Sequence, residues 1–165
     1  MIIRHPKENE IDRIMEIYAA ARKYMDEHGN PTQWGSLNHP PRDMIVEDIQ
    51  NQLNYVLEGE DGDIHGVFAL LGGIDPTYLR IDDGAWLNDE EYLTVHRIAS
   101  DGQCHGIFRT SIDFCKTKTD NIRIDTHEDN AIMKHALASN GFVRCGIIYL
   151  PNGDPRIAYH YAAKQ

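Results

Sequence analysis

Tyr92-Leu-Thr-Val-His-Arg-Ile-Ala99, then Ser100-Asp-Gly102, then Gln103-Cys-His-Gly-Ile-Phe108: these three consecutive stretches decide the fold. The first is an apolar run that reads as a buried strand. The second breaks it sharply. The third opens a helix that carries Phe114 and Cys115. A second strand follows at Asn121-Ile-Arg-Ile-Asp-Thr126, and a capped helix runs from Asn130 to Asn140-Gly-Phe142. Strand, glycine-bearing turn, helix and parallel strand form a βαβ unit. Its turn aims free backbone N–H groups and the positive end of a helix at one spot, a geometry that binds phosphate.

Upstream, Ile2-Ile3-Arg4 reads as an edge strand. Ile11, Ile14, Met15, Tyr18 and Ala21 recur at helical spacing between Glu8 and Met25. Thr32-Gln-Trp34-Gly35 places an aromatic on a loop, and Pro40-Pro41 starts a second helix with Met44, Ile45, Ile49 and Leu53 inward and Asp48 and Gln50 in solvent. Tyr55-Val-Leu57 and Ile64 to Leu71 form a hairpin about Glu60-Asp-Gly-Asp63. Asp75-Pro76-Thr77-Tyr78 is a turn, and Asp83-Gly84-Ala-Trp86 a second aromatic loop. Val143 to Leu150 and Ile157 to Tyr161 flank Asn152-Gly153, a strong hairpin signal. One mixed α/β sheet with helices on both faces accounts for these elements, and 165 residues fit a single domain spanning 1–165.

The net charge of −10 disfavours binding to nucleic acid or an anionic membrane, and it suits a cationic or amine ligand. No apolar run reaches the length of a membrane span, and Met1-Ile-Ile-Arg-His-Pro6 lacks the long apolar segment of a signal peptide. Three cysteines, Cys104, Cys115 and Cys145, do not make a disulfide framework. A reduced, cytoplasmic protein is the expectation.

Gly106 either turns the chain or opens a phosphate site; the strand before it and the apolar helix after it give it better context than a lone glycine. Asn130 reads as an N-cap. Lys134, one turn on, is either solvated or turned toward an anion. Nine histidines show no metal-ligand spacing, so no metal is expected. Cys104 sits where a thiol is activated, but no base partners it, since His105 is only its sequence neighbour. His96 interrupts an apolar strand, and alternation places it on one face with Thr94 and Ile98. It is either a core histidine or a base.

Gln103-Cys-His-Gly106-Ile-Phe108, together with Asn130 and the closing Gly141-Phe142, resembles the signatures of the GCN5-related N-acetyltransferase (GNAT) family. Phe108 stands where the family has a small residue, and Leu137 where it often has a tyrosine. The resemblance implies a single-domain GNAT-like fold and acetyl-CoA as co-substrate. The N–H groups of Gln103, Cys104, His105, Gly106, Ile107 and Phe108 would hold its pyrophosphate. Ile98 and Ala99 would pair with the pantetheine arm as an added strand, and Asn130 and Lys134 would meet the cofactor. His96 would deprotonate an amine, with His127 as its rival and Tyr149 as an acid in place of the missing phenol. Trp34, Tyr78 and Trp86 would line the acceptor side with Tyr149.

The expected function is acetyl transfer from acetyl-CoA to a primary amine of a small molecule or peptide. Leu137 keeps a second function open, a non-catalytic acyl-CoA sensor of the same fold. A cofactor-free structural partner is a third. The resemblance leaves a homodimer open, since this fold often dimerises.

Overall fold

The computed structural model describes residues 1–34 and 39–164. Seven strands run β1 (Ile2–Arg4), β2 (Asn54–Glu58), β3 (Ile64–Leu71), β4 (Leu93–Ser100), β5 (Asn121–Thr126), β6 (Val143–Tyr149) and β7 (Pro155–Ala162). The helices are α1 (Ile11–Glu27), α2 (Arg42–Gln50), α3 (Ile107–Lys116) and α4 (Ala131–Ser139). Short 3-10 turns lie at Glu8–Glu10 and Pro76–Tyr78. The strands join in one mixed sheet in the order β1-β2-β3-β4-β5-β7-β6. β4 and β5 are parallel, as the βαβ reading requires, and pair Leu93 with Ile122 and Thr94 with Arg123.

The chain divides into two compact units: Met1–Leu70 with His96–Phe114, and Leu71–Val95 with Cys115–Gln165. In the first unit, α1 buries Ile14, Ile17, Tyr18 and Ala21, the stripe its periodicity predicts. They pack with Ile45, Ile49, Val56, Ile64, Val67 and Ala99. β3 is buried at six consecutive residues from Ile64 to Ala69, as a strand covered on both faces must be. Gly66 in that run lies against α3: a Cβ there would stand 2.7 Å from Ile107 Cγ2. The missing side chain thus lets the start of α3 seat close to β3.

Asp48 departs from its sequence reading. It is buried, not solvated, because Arg97 Nη2 lies 2.8 Å from its Oδ2. A carboxylate can leave water when a guanidinium replaces the lost hydrogen bonds. Trp34 is buried beside Tyr18, edge to face at 5.8 Å. Gly35, its neighbour in the predicted loop, lies outside the described residues.

In the second unit, β6 and β7 form the predicted hairpin, with Val143 opposite His160 and Tyr149 opposite Pro155. Asn130 caps α4 by accepting the Met133 N–H at 3.0 Å. The helix ends with Gly141 at φ +87° and the Phe142 N–H on the Leu137 carbonyl at 3.1 Å. That closure requires a left-handed residue, which glycine supplies at least cost.

Candidate functional site

β4 ends at Ser100, and the turn beyond it is built from its own side chains. Ser100 Oγ accepts the Gly102 N–H at 3.0 Å, and Asp101 Oδ1 accepts the Gln103 N–H at 2.9 Å. Such local acceptors fold a chain back without a sheet partner. Gly102 and Gly106 hold φ of +78° and +79°. A Cβ on Gly106 would meet only Thr110 Oγ1, at 3.9 Å. Glycine is there for its backbone freedom, and the space beside it is open. The Thr110 N–H bonds to the Gly106 carbonyl at 2.9 Å and starts the helical ladder. The N–H groups of the turn before Thr110 therefore have no carbonyl of α3 to meet, and the helix dipole adds positive potential there.

The expected donor run needs one correction. The Gln103 N–H is already held by Asp101, so the donors open to a ligand begin at Cys104. Gln103 and His105 are exposed, Cys104 and Phe108 half-buried, and Ile107 buried.

Behind the turn lies a chain of charges that the sequence reading missed. Asp101 Oδ2 meets both His65 Nδ1 and Arg13 Nη2 at 2.7 Å, and its side chain is 4 % exposed. His65 Nε2 lies 2.8 Å from Asp61 Oδ2. The Asp101 N–H closes the loop on the His65 carbonyl at 3.1 Å. Hydrogen bonds to Asp101 and then to Asp61 raise the pKa of His65. Burial opposes ionisation of Asp101, but its bonds to His65, the Gln103 N–H and Arg13 hold its pKa below the usual carboxylate value.

Within β4, Arg97 has a left-handed φ of +52°. That conformation costs a residue with a Cβ roughly 1–2 kcal/mol. Two contacts hold it. The Tyr18 hydroxyl donates to the Arg97 carbonyl at 2.8 Å, and Arg97 Nε donates to Asp48 Oδ2 at 3.0 Å. Burial pushes the Tyr18 phenol's pKa up, so it stays a neutral donor. Arg97 thus departs from extended backbone between His96 and Ile98, the two residues that alternation places on one face. Ile98 is half-buried and Ala99 buried.

His96 is half-buried on the same strand. It lies close enough to His39 and Asp48 to act on their ionisation. His39 is pushed down to about 4, first by burial and then by the charges of Arg97, His96 and Arg22. Asp48 is pulled the opposite way: burial raises its pKa while Arg97 opposes.

The remaining candidates lie in the second unit. Tyr78 is 2 % exposed, and its hydroxyl donates to Asp125 Oδ2 at 2.7 Å. The Trp86 ring lies tilted against it at 5.0 Å and donates Nε1–H to the Tyr78 carbonyl at 2.9 Å. Arg123 lies over Trp86 and Tyr92, with its guanidinium carbon 4.2 and 4.0 Å from the ring centroids. Tyr78 and Trp86 thus share one cluster, while Trp34 belongs to the core of the first unit. The Tyr149 phenol bonds to Asp82, which raises its pKa, and Arg80 lies 4.5 Å from its ring centroid. A phenol so held is a weaker acid than usual. His127 Nδ1 accepts the Asp129 N–H at 3.0 Å, a local turn contact. Lys134 pairs with Glu128 at 3.2 Å, and Leu137 is fully buried. Among the described residues no group of three or more His, Cys, Asp or Glu could hold a metal, and no helix is long and apolar enough to cross a membrane.

No family model matches the sequence, and no curated protein matches it. Solved structures do. An acetyltransferase of the GNAT family from Streptococcus agalactiae is 33 % identical, with a TM-score of 0.89 over 99 % of this chain and 96 % of that one. A putative acetyltransferase from Staphylococcus aureus is 24 % identical, with a TM-score of 0.69 over 99 % and 100 %. An aminoglycoside acetyltransferase solved with coenzyme A and kanamycin shares the fold at 16 % identity, with a TM-score of 0.63 over 97 % and 93 %. With a third of its residues identical to the streptococcal protein across nearly the whole of both chains, this chain belongs to the GNAT family of acetyltransferases.

Proposed function

We propose that the chain is a single-domain enzyme that transfers an acetyl group from acetyl-CoA to a primary amine of a small molecule or peptide. The observation that carries this is the turn after β4: two left-handed glycines, open space beside Gly106, and amide donors from Cys104 to Phe108 at the start of α3. A pyrophosphate needs such a concave set of N–H groups, and the residues present fit one.

The chemistry is direct attack. The amine nitrogen bonds to the thioester carbonyl carbon, the C–S bond breaks, and the sulfur leaves with the electron pair. The protein must hold the two reactants together, take a proton from the ammonium and stabilise the developing oxyanion. His96 is the base, acting directly or through a water, with the Asp48 charge nearby. Backbone N–H donors would polarise the thioester oxygen. Leu137 offers no proton, so the thiolate departs unaided or takes its proton from solvent or Tyr149.

Leu137, buried and apolar at the position where the family often has a phenol, favours a second reading: a non-catalytic acyl-CoA sensor. Turnover assays against polyamines, amino acids and aminoglycosides separate the two. Binding of acetyl-CoA without turnover of any amine would select the sensor. Calorimetric titration tests the shared premise. Gly106→Asp puts a negative charge where the phosphates sit and should weaken acetyl-CoA binding by about a hundredfold or more, since like charges this close repel strongly at low dielectric. Unchanged affinity would remove the site. His96→Gln should lower kcat by roughly a hundredfold or more while leaving acetyl-CoA binding intact. A near-normal kcat would pass the role of base to His127.

A further inference from the structure

We propose that His65 is an imidazolium that positions the anion-binding turn, acting through Asp101 to hold the cradle closed and to offset the Asp101 charge. The proposal deepens the acetyl-CoA reading above and rests on it.

The geometry argues for two ring protons. Both ring nitrogens face carboxylate oxygens, Nδ1 to Asp101 at 2.7 Å and Nε2 to Asp61 at 2.8 Å. An ionised carboxylate only accepts, so each nitrogen must donate, and a neutral imidazole has one N–H to give. The ring has no freedom to turn away. It is 3 % exposed, and a Cβ on Gly59 would already stand 2.9 Å from its Cδ2.

The consequence falls on the turn. Asp101 uses Oδ2 for His65 and Arg13, and Oδ1 for the Gln103 N–H. Its orientation therefore fixes where the following amides point. Asp101 is also an anion beside a site that must attract anions. Arg13 and His65 cancel it and Asp61, while Asp63 at 3.2 Å and Glu16 at 3.3 Å from Arg13 add negative charge. Loss of the His65 proton breaks one of its two hydrogen bonds and leaves the cluster one charge more negative. The raised pKa of His65 agrees with this arrangement. Its stabilising effect is complete below the imidazole's unfolded pKa, about 6.5, and is lost as pH rises through the higher folded value.

The test uses the full chain with acetyl-CoA. His65→Gln cannot donate to both carboxylates, and Asp101→Asn presents an amide to two cations. Each should raise KM for acetyl-CoA roughly five- to tenfold, as expected for one charge-assisted hydrogen bond, with kcat within about twofold. Because both act through one contact, the double variant should be no worse than the weaker-binding single. Imidazole NMR on wild type should show His65 protonated at pH 7. The advantage of wild type over His65→Gln should shrink as pH passes the pKa so measured. Amide exchange at residues 102–108, read without ligand, should speed up in both variants. If folded His65→Gln keeps a wild-type KM, if His65 is neutral at pH 7, or if the two losses add in full, the proposal is wrong. If wild type binds no acetyl-CoA, the functional reading fails instead, and NMR and amide exchange still decide whether His65 holds the turn.

Discussion

Two buried histidines, one in each unit, differ in charge: one ring is cationic and the other neutral. His65 lies between two carboxylates and is pushed toward protonation. His160, fully buried on β7, accepts the Leu87 N–H on Nδ1 at 3.2 Å and meets Asn121 Oδ1 through Nε2 at 2.9 Å. One nitrogen must accept and the other donate, so the ring is neutral. Burial, and then the charge of Arg123, press its pKa down to about 4. Burial is common to both rings, so depth alone does not set charge. The partners do: acceptors on both sides demand an imidazolium, and a donor with an acceptor demands one neutral tautomer. The surroundings differ in packing as well. The turn near His65 leaves room beside Gly106, whereas Gly146 in the second unit meets the backbone directly. A Cβ there would lie 2.5 Å from the Asp82 carbonyl oxygen, inside the paired bridge of Asp82 and Ile147.

The largest effect should come from that packing contrast. Gly146→Ala forces two backbones apart and should cost about 4 kcal/mol or more, the range of severe overpacking. Gly106→Ala strains only a left-handed φ and should cost about 1–2 kcal/mol. Equal losses in urea melts would erase the distinction between a close-packed and an open glycine.

His160→Gln comes next. It should destabilise the protein by about 2–3 kcal/mol at pH 7, from a disturbed buried hydrogen-bond pair. The deficit should narrow as pH falls. Below about 6.5 the unfolded histidine binds a proton that the folded one refuses until about 4. Wild type therefore loses about 3 kcal/mol over that window, and the variant escapes the loss. His39, also near 4, acts on both proteins alike, so the difference between their melts isolates His160. A deficit that stays constant from pH 7 to 4 would mean the ring is charged.

The smallest expected stability effect is that of His65→Gln, about 1–2 kcal/mol at pH 6, for one charge-assisted hydrogen bond. Here the sign reverses. The folded pKa is raised, so the wild-type advantage is full at low pH and shrinks as pH climbs. Two deficits that narrow in the same direction would break the comparison.

Local pattern was enough to place the elements. Predicted and observed β5 agree residue for residue, Asn130 caps α4, and Asn152-Gly153 lies between two antiparallel strands. These features depend on sterics and hydrogen bonds spanning a few residues, which a short window of sequence contains. The turn after β4 was legible for the same reason, since Ser100, Asp101 and the two glycines shape it from within. The phosphate reading of Gly106 draws on the strand-turn-helix order together with the family resemblance.

What tertiary structure alone decided is the electrical state of the site. In sequence, Asp48 reads as a solvated helix residue because its partner, Arg97, is 49 positions away. Asp101 meets His65 across 36 positions and Arg13 across 88. No periodicity encodes such pairs. The left-handed Arg97 was hidden too, since arginine has no preference for that conformation, and the Tyr18 hydroxyl and the Asp48 carboxylate hold it there. Sequence determines where the chain turns because turning is local. Whether a buried group keeps its charge depends on which donors and acceptors the folded chain brings within about 3 Å of it, and the fold had to supply them.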